Sequence, residues 1–393
     1  MNALPKVLLA GGPDIDARLD LMRHLRGAFN VSAMGSSPSL SIKLSAEGFE
    51  YSAYRLTRKA NPVLDLLTFA QSLIVLRRLR PQIVHAFDSK PSVWVRLAAR
   101  LTGVPVVVGT LPGLGSLYTN KSRTTRLIRL FYEKLQTLAC RVADLTVFQN
   151  HEDARRFVSA GIVSHEKMAV IVSSGVSTGT YDPGRIPRSQ IDSVGRELGI
   201  RPDALVVSMI ARIIRSKGVL EYAAAARQLR DRYPNVDFLL VGAEDPENLD
   251  RLSSEELSEV REALTWQGPR PDIPAVLALS DIFVLPSAYG EGVPRVLLEA
   301  ASMGLPIVTT DMPGCREVVE DRVNGFLVAV HDVEALCKAV GCLIEQPELR
   351  KRFGRLSRQR AVQRFDTFIV AEQTRSIYRQ LLTKKAHLLP AAS

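Results

Sequence analysis

Short apolar runs closed by glycine or proline alternate with longer stretches of helical spacing along almost the whole chain. Residues 6–10 read as a first strand, and Gly11-Gly12 follows at once. Residues 16–26 have helix spacing, and 51–56 have strand character. Asn61-Pro62 opens a helix over 63–80, apolar on one face and basic at its end, where cations suit the helix dipole. Residues 81–85 form a strand running into a loop. Ser89-Lys90-Pro91-Ser92 then opens a helix over 93–101, and 104–108 is another apolar strand. A strand at 145–148, a helix at 150–160 and a strand at 167–172 complete the series. Strands that alternate with helices predict a parallel sheet, because each parallel pair needs a crossover.

Tyr181-Asp182-Pro183-Gly184 and Pro187 read as a linker, with a domain boundary near 180–190. The alternation then restarts: strands at 204–210, 236–241 and 282–285, with a helix at 219–232. Val296, Leu297, Ala300 and Ala301 recur at helical spacing until Gly304 and Pro306 stop the helix, and 305–310 is the next buried strand. A short helix at 314–319, a turn into a last strand at 324–328, and helices at 333–345, 348–365 and 368–382 follow. The tail after Lys385 is expected to be loose.

The length of 393 residues suits two or three domains, and 46% hydrophobic with 23% charged residues is an ordinary globular balance. A net charge of +10 favours an anionic partner without choosing among nucleotide, phosphorylated lipid, acidic membrane or nucleic acid. Cys140, Cys315, Cys337 and Cys342 form no C-x-x-C pair and have no zinc-like spacing to histidine, so reduced structural thiols of a cytosolic protein are expected. The opening MNALPKVLLAGG reads as a strand rather than a signal peptide. No apolar stretch is long enough for a membrane span.

The candidate chemistry concentrates in 287–311, SAYGEGVPRVLLEAASMGLPIVTTD. Pro294 suits the first turn of a helix, whose unpaired N–H groups and positive dipole end can hold a phosphate. Glu299, one turn further in, can accept hydrogen bonds from a diol such as a ribose, and Glu291 in the preceding loop can reach the far side of the phosphates. In ARIIRSKG, Arg212 and Lys217 follow a strand's carboxyl end, where two cations can clamp a diphosphate. A nucleotide diphosphate sugar has this layout of ribose, phosphates and sugar.

Glu291 and Glu299 with seven residues between them, set in EGVPRVLLEA and followed by Gly304-Leu305-Pro306-Ile307-Val308, resemble the E-x7-E signature of retaining glycosyltransferases with the GT-B fold. The resemblance covers nearly the whole chain. It implies an α/β architecture of two Rossmann-like domains with parallel sheets and an interdomain cleft, and a C-terminal helix that crosses back to the first domain. The expected divisions are an acceptor-binding domain at 1–183, a donor-binding domain at 184–365, and the returning helix with its tail at 366–393. It implies catalytic roles for Glu291, Arg212 and Lys217. Donor contacts are implied for Gly12, Arg212, Lys217, Gly268, Arg270, Glu291, Gly292, Val293, Pro294, Arg295, Val296 and Glu299. For Gly12 a tight turn alone is the other reading; for Gly268 and Arg270 the partner would be the nucleobase, met largely through backbone. Asp14-Ile15-Asp16 spells D-x-D, a metal-holding triplet of a different glycosyltransferase fold, and is read as coincidence. No metal and no cofactor are expected.

PQIVHAFDSKPSVWVRLAARLTGVPVVV is similar to family members that build bacterial surface polysaccharides, and TLPGLG at 110–115 to those that extend sugars on polyprenyl diphosphates. His85, Thr110, Gly113 and Gly115 are therefore acceptor-side candidates, with a hydrogen-bonded structural imidazole as the other reading of His85. Many relatives carry a histidine in the loop where this chain has Gly109 to Gly115, so a histidine-assisted step there is not implied. Within 121–139, Arg123, Arg126, Arg129 and Lys134 interleave with Leu127, Ile128, Leu130, Phe131 and Leu135 as a basic amphipathic helix. It suits either an anionic membrane surface or packing on the first sheet. The expectation is a retaining, metal-independent hexosyltransferase using a nucleotide diphosphate sugar, UDP-linked, and a lipid-linked saccharide acceptor. It would be cytoplasmic and peripheral at the inner face of the cell membrane, with no nucleic-acid partner. A nonhydrolysing nucleotide-sugar epimerase and a catalytically silent nucleotide-sugar-binding subunit are the alternatives; the missing G-x-G-x-x-G disfavours a nicotinamide enzyme.

Overall fold

Seven strands build the first sheet: β1 (Lys6–Ala10), β2 (Asn30–Gly35), β3 (Glu50–Ala53), β4 (Ile83–Ala86), β5 (Val106–Leu111), β6 (Leu145–Phe148) and β7 (Met168–Val170). Their order is β3-β2-β1-β4-β5-β6-β7, all parallel, in this computed structural model, which describes residues 3–57, 61–115, 118 and 123–386. Successive residues point to opposite faces. Val7 and Leu9 join one buried cluster, and Leu8 and Ala10 join another; Val106 and Val108 part from Val107 in the same way. Both faces are covered, so central strands such as β1 and the start of β5 read as apolar runs rather than as alternation.

The first cluster takes in Met22 and Leu25 of the helix Leu19–Leu25, with Val370, Ala371 and Tyr378 of the last helix, Thr367–Ala386. The second takes in Val75 and Leu76 of the helix Pro62–Leu79, with Val95, Ala98 and Ala99 of Pro91–Leu101. Asn61 starts the longer of these two helices by accepting from the Leu64 amide at 3.1 Å, with Pro62 in the position where a missing N–H costs nothing.

The second sheet holds β8 (Leu205–Ile210), β9 (Val236–Val241), β10 (Thr265–Gln267), β11 (Ile282–Leu285), β12 (Ile307–Thr310) and β13 (Gly325–Val328), in the order β10-β9-β8-β11-β12-β13 and again all parallel. Residues up to 175 and from 367 onward form one compact unit, and 176–366 form the other.

Three local expectations change. The strand expected at 51–56 stops at Ala53, and β2 was not read from the sequence at all. β5 runs on through Leu111, so Gly109, Thr110 and Leu111 are strand, not loop. The amphipathic segment is helical as Arg123–Val142; Lys121, and the tail expected to be loose from residue 387 on, lie outside the described residues.

Candidate functional site

In the second sheet the chain passes from β8 outward through β9 to β10, then crosses to β11 on the other side of β8. The order thus reverses between β8 and β11, and open α/β sheets bind ligands outside the carboxyl ends of the strands at such a point. The loops that leave these two strands press together there. Gly218 has φ +79°, and a Cβ on it would lie 2.2 Å from the carbonyl oxygen of Pro286, so only glycine fits. The Ser216 carbonyl accepts from the Ala288 amide at 2.8 Å and from the Ser287 hydroxyl at 3.2 Å.

This packing delivers Lys217 to Glu291. The Lys217 side chain is largely buried, its Nζ donates to Glu291 Oε1, and the ammonium lies 5.4 Å from the centre of the Tyr289 ring. Glu291 and Gly292 lead through Val293 and Pro294 into the helix Arg295–Ser302, which starts at Arg295 with Pro294 as its cap. Gly292, Val293 and Pro294 are buried, and Arg295 and Val296 half-buried. Behind them stands the helix Pro313–Val318: a Cβ on Gly314 would lie 2.0 Å from the Gly292 carbonyl oxygen and 2.9 Å from that of Glu291.

Inside the helix, Glu299 is buried and accepts from Arg295 Nε at 3.0 Å. Burial pushes its carboxyl above the usual range, while Arg295 and a hydrogen bond from Tyr181 pull it back. Tyr181 comes from the linker, whose backbone is fixed at its carbonyl by Ser302 Oγ at 2.7 Å and by Arg358 Nη1 at 2.8 Å. On the β8 loop, Arg212 is exposed and pairs with Asp245 Oδ2 at 3.2 Å. A recess of about 490 Å³ continues this edge past β9 and β10, lined by Gly242, Glu244, Arg261, Trp266, Gly268 and Pro269. Trp266 is held in it by donating to the Gly242 carbonyl at 3.1 Å, with the Arg261 guanidinium 4.6 Å from its ring centre.

The second unit therefore sets Lys217, Glu291, Arg295 and Glu299 around one helix start, with Arg212 on the adjoining loop and Gly268 in the recess. Arg270 is different. Its guanidinium is forked onto Asp272 at 2.8 and 2.7 Å and Glu197 at 2.8 and 3.1 Å, and these carboxylates raise its pKa further. The side chain fastens its own loop to the helix Arg188–Glu197, leaving only its backbone for a base. Sequence reading missed Tyr181, Asp245 and Trp266. The signal for the last two was their position just past or within a strand at the sheet's carboxyl edge; for Tyr181 there was none.

The first-unit candidates separate in the same way. The Gly12 amide donates to Asp88 Oδ2 at 3.0 Å, so a carboxylate already holds that N–H. His85 is 2% exposed, with Nδ1 2.7 Å from the Tyr378 hydroxyl and Nε2 2.6 Å from Thr110 Oγ1, and its ring stacks on Phe87. Burial, with Arg18 and Arg96, drives its pKa down to about 3. His85 and Thr110 form a buried bridge between β4, β5 and the last helix, the hydrogen-bonded structural reading of His85. Gly113 and Gly115 have φ of +153° and +62°, in the segment that runs up to the helix Arg123–Val142.

Comparison with known proteins identifies the family and the fold. The family described as Glycosyl transferases group 1 matches residues 191–360, and the Glycosyl transferase 4-like domain matches 35–172. The chain is 30% identical over 341 residues to the N,N'-diacetylbacillosaminyl-diphospho-undecaprenol alpha-1,3-N-acetylgalactosaminyltransferase of Campylobacter jejuni, covering 86% of this chain and 88% of that protein. It is 29% identical over 287 residues to the UDP-Gal:alpha-D-GlcNAc-diphosphoundecaprenol alpha-1,3-galactosyltransferase of Escherichia coli, covering 72% of each. Among solved structures, a glycosyltransferase from Rickettsia africae superposes with a TM-score of 0.80 at 17% identity, covering 97% of this chain and 99% of that one. An Anabaena protein in complex with UDP superposes with a TM-score of 0.76 at 20% identity, covering 95% and 100%.

Proposed function

We propose a reaction from one established point: the chain belongs to the group 1 glycosyltransferases, of GT-B fold. The donor is a UDP-linked sugar held by the second unit. The acceptor is a saccharide carried on a polyprenyl diphosphate, held by the first. The observation that carries the reading is the meeting of Lys217 with Glu291 beside the start of the helix Arg295–Ser302, at the point where the strand order reverses.

Lys217, Arg212 and the helix's amino end neutralise the charge that grows on the departing diphosphate, a role a divalent ion plays elsewhere. Glu299 accepts from the ribose hydroxyls, and Glu291 from sugar hydroxyls near the reacting carbon. The bond from that carbon to the phosphate oxygen breaks with its electron pair going to the diphosphate. The acceptor oxygen bonds on the same face, and the phosphate oxygen takes the acceptor's proton, so configuration is retained.

The UDP assignment is supported by the donor in the name of the Escherichia coli relative and by the Anabaena complex; the acceptor class is supported by both relatives' names. Contact with an anionic membrane surface, which we place at the cytoplasmic face, is supported by the helix Arg123–Val142, which exposes Leu127, Leu130 and Phe131 beside Arg126 and Lys134. Among the described residues no helix is long and apolar enough to cross a membrane.

Thermal-shift titration with UDP-, GDP- and ADP-sugars, followed by transfer from the stabilising donor to GlcNAc-diphosphoundecaprenol or to free GlcNAc, tests the reading. Stabilisation by a UDP-sugar and faster transfer to the lipid-linked acceptor are expected. Equal rates on free and lipid-linked sugar would remove the acceptor assignment.

A further inference from the structure

We infer that Asp88 holds a hydroxyl group of the saccharide acceptor, in the crevice of the first sheet beside Gly11-Gly12. The inference rests on the transfer reaction above. The first sheet has its own reversal of strand order, between β1 and β4, and the positions just past these two strands are Gly11-Gly12 and Phe87-Asp88. The two segments meet over the crevice through the bond from the Gly12 amide to Asp88 Oδ2. That bond fixes one carboxylate oxygen. Among the described residues, no donor reaches the other, Oδ1.

The backbone marks the same residue. Asp88 has φ +67°, the left-handed region that a non-glycine residue enters at a cost, and such residues gather at functional positions. Here the conformation lets the chain turn back across the end of β4 with the carboxylate over Gly12. Bulk is kept low on the facing side: the nearest atoms to a Cβ built on Gly12 would be Asp14 Oδ1 at 3.4 Å and Asp88 Oδ2 at 3.5 Å.

The charge decides what can dock. Burial pushes the Asp88 carboxyl above its ordinary range and Asp14 adds to this, while Arg18, 4.8 Å from the centre of the Phe87 ring, and the Gly12 amide oppose it. A phosphate brought to Asp88 meets like charge, whereas a hydroxyl donates to it. The crevice therefore takes the sugar ring of the acceptor, and the acceptor's diphosphate is bound elsewhere. His85 is closed between Tyr378 and Thr110, so neither it nor Thr110 takes this role from Asp88.

The test is Asp88→Asn, assayed with the lipid-linked and free GlcNAc acceptors beside the wild type. Asparagine tolerates the same backbone angle and can still accept from the Gly12 amide, so unfolding is not expected. A thermal melt and a donor titration verify this. The inference requires kcat/KM for the acceptor to fall about 10- to 100-fold, the loss of a hydrogen bond to a charged group, with donor affinity unchanged. Asp88→Ala should fall at least as far. Unaltered acceptor kcat/KM in Asp88→Asn, while the wild type transfers normally, overturns the inference alone. A wild type that transfers to no acceptor overturns the function, and this inference with it.

Discussion

Lys217 is buried, charged and answered by Glu291, a combination that costs desolvation and is retained where the charge has work to do. Replacing Lys217 or Arg212 by alanine should slow transfer about 100-fold or more, the range seen when a group that stabilises developing charge is removed. Near-normal turnover in both variants would refute the phosphate clamp. Glu299→Ala should instead raise the donor KM, and donor titration separates this from a loss in kcat. His85 gives a second measurement, on stability. Its folded pKa is near 3, while an unfolded chain protonates it near the ordinary value of about 6.5. Between those two values the unfolded state binds more protons, so this group's contribution is complete above the ordinary value and is lost as pH falls towards 3. Scanning calorimetry across that window should show a shallower fall in Tm for His85→Gln than for the wild type; parallel slopes would exclude it.

Elements transmit what these residues need. Gly314 touches no proposed ligand, yet its helix backs directly onto the Glu291-Gly292 loop. Gly314→Ala should displace that loop and cut donor kcat/KM about tenfold or more, since small misplacements cost that much, while the melting temperature locates any wider damage. Much of this level was legible beforehand. Strands dominated by apolar residues, such as Val236–Val241 and Ile282–Leu285, have the bounds the pattern gives them. β2 escaped because NVSAMG mixes polar and small residues, and its burial comes from neighbours far along the chain. The helix Ser254–Ala263 escaped although its start was written out: Ser253 accepts from the Glu256 amide at 3.3 Å, and Glu256 accepts from the Ser253 amide at 2.7 Å. Thr110 was misjudged because a glycine-flanked threonine looks like a loop until β6 pairs with it through Val147. At the site, the E-x7-E spacing named Glu291, which meets Lys217 of the ARIIRSKG run, and Glu299 on the helix that follows. Asp245 on Arg212, Glu197 on Arg270 and the tyrosine on Glu299 come from distant segments that no spacing rule connects.

For the whole molecule, a net charge of +10 and an apolar strip on one basic helix point to an anionic surface. Cosedimentation with vesicles rich in anionic lipid should exceed that with neutral vesicles, fall as salt rises, and drop in a Leu127→Glu, Phe131→Glu double variant that keeps donor affinity. Equal binding to both vesicle types would set the membrane proposal aside. A different whole-molecule property follows from the second unit's ion pairs. Arg212 rests on Asp245, Lys217 on Glu291 and Arg295 on Glu299. A lone orthophosphate must compete with a tethered carboxylate at each of these points and gains one contact for its trouble. A sugar nucleotide displaces several together through a single molecule, a chelate advantage. In the proposed reaction the pairs thus act as a sieve against free phosphate, one that costs the cognate substrate little.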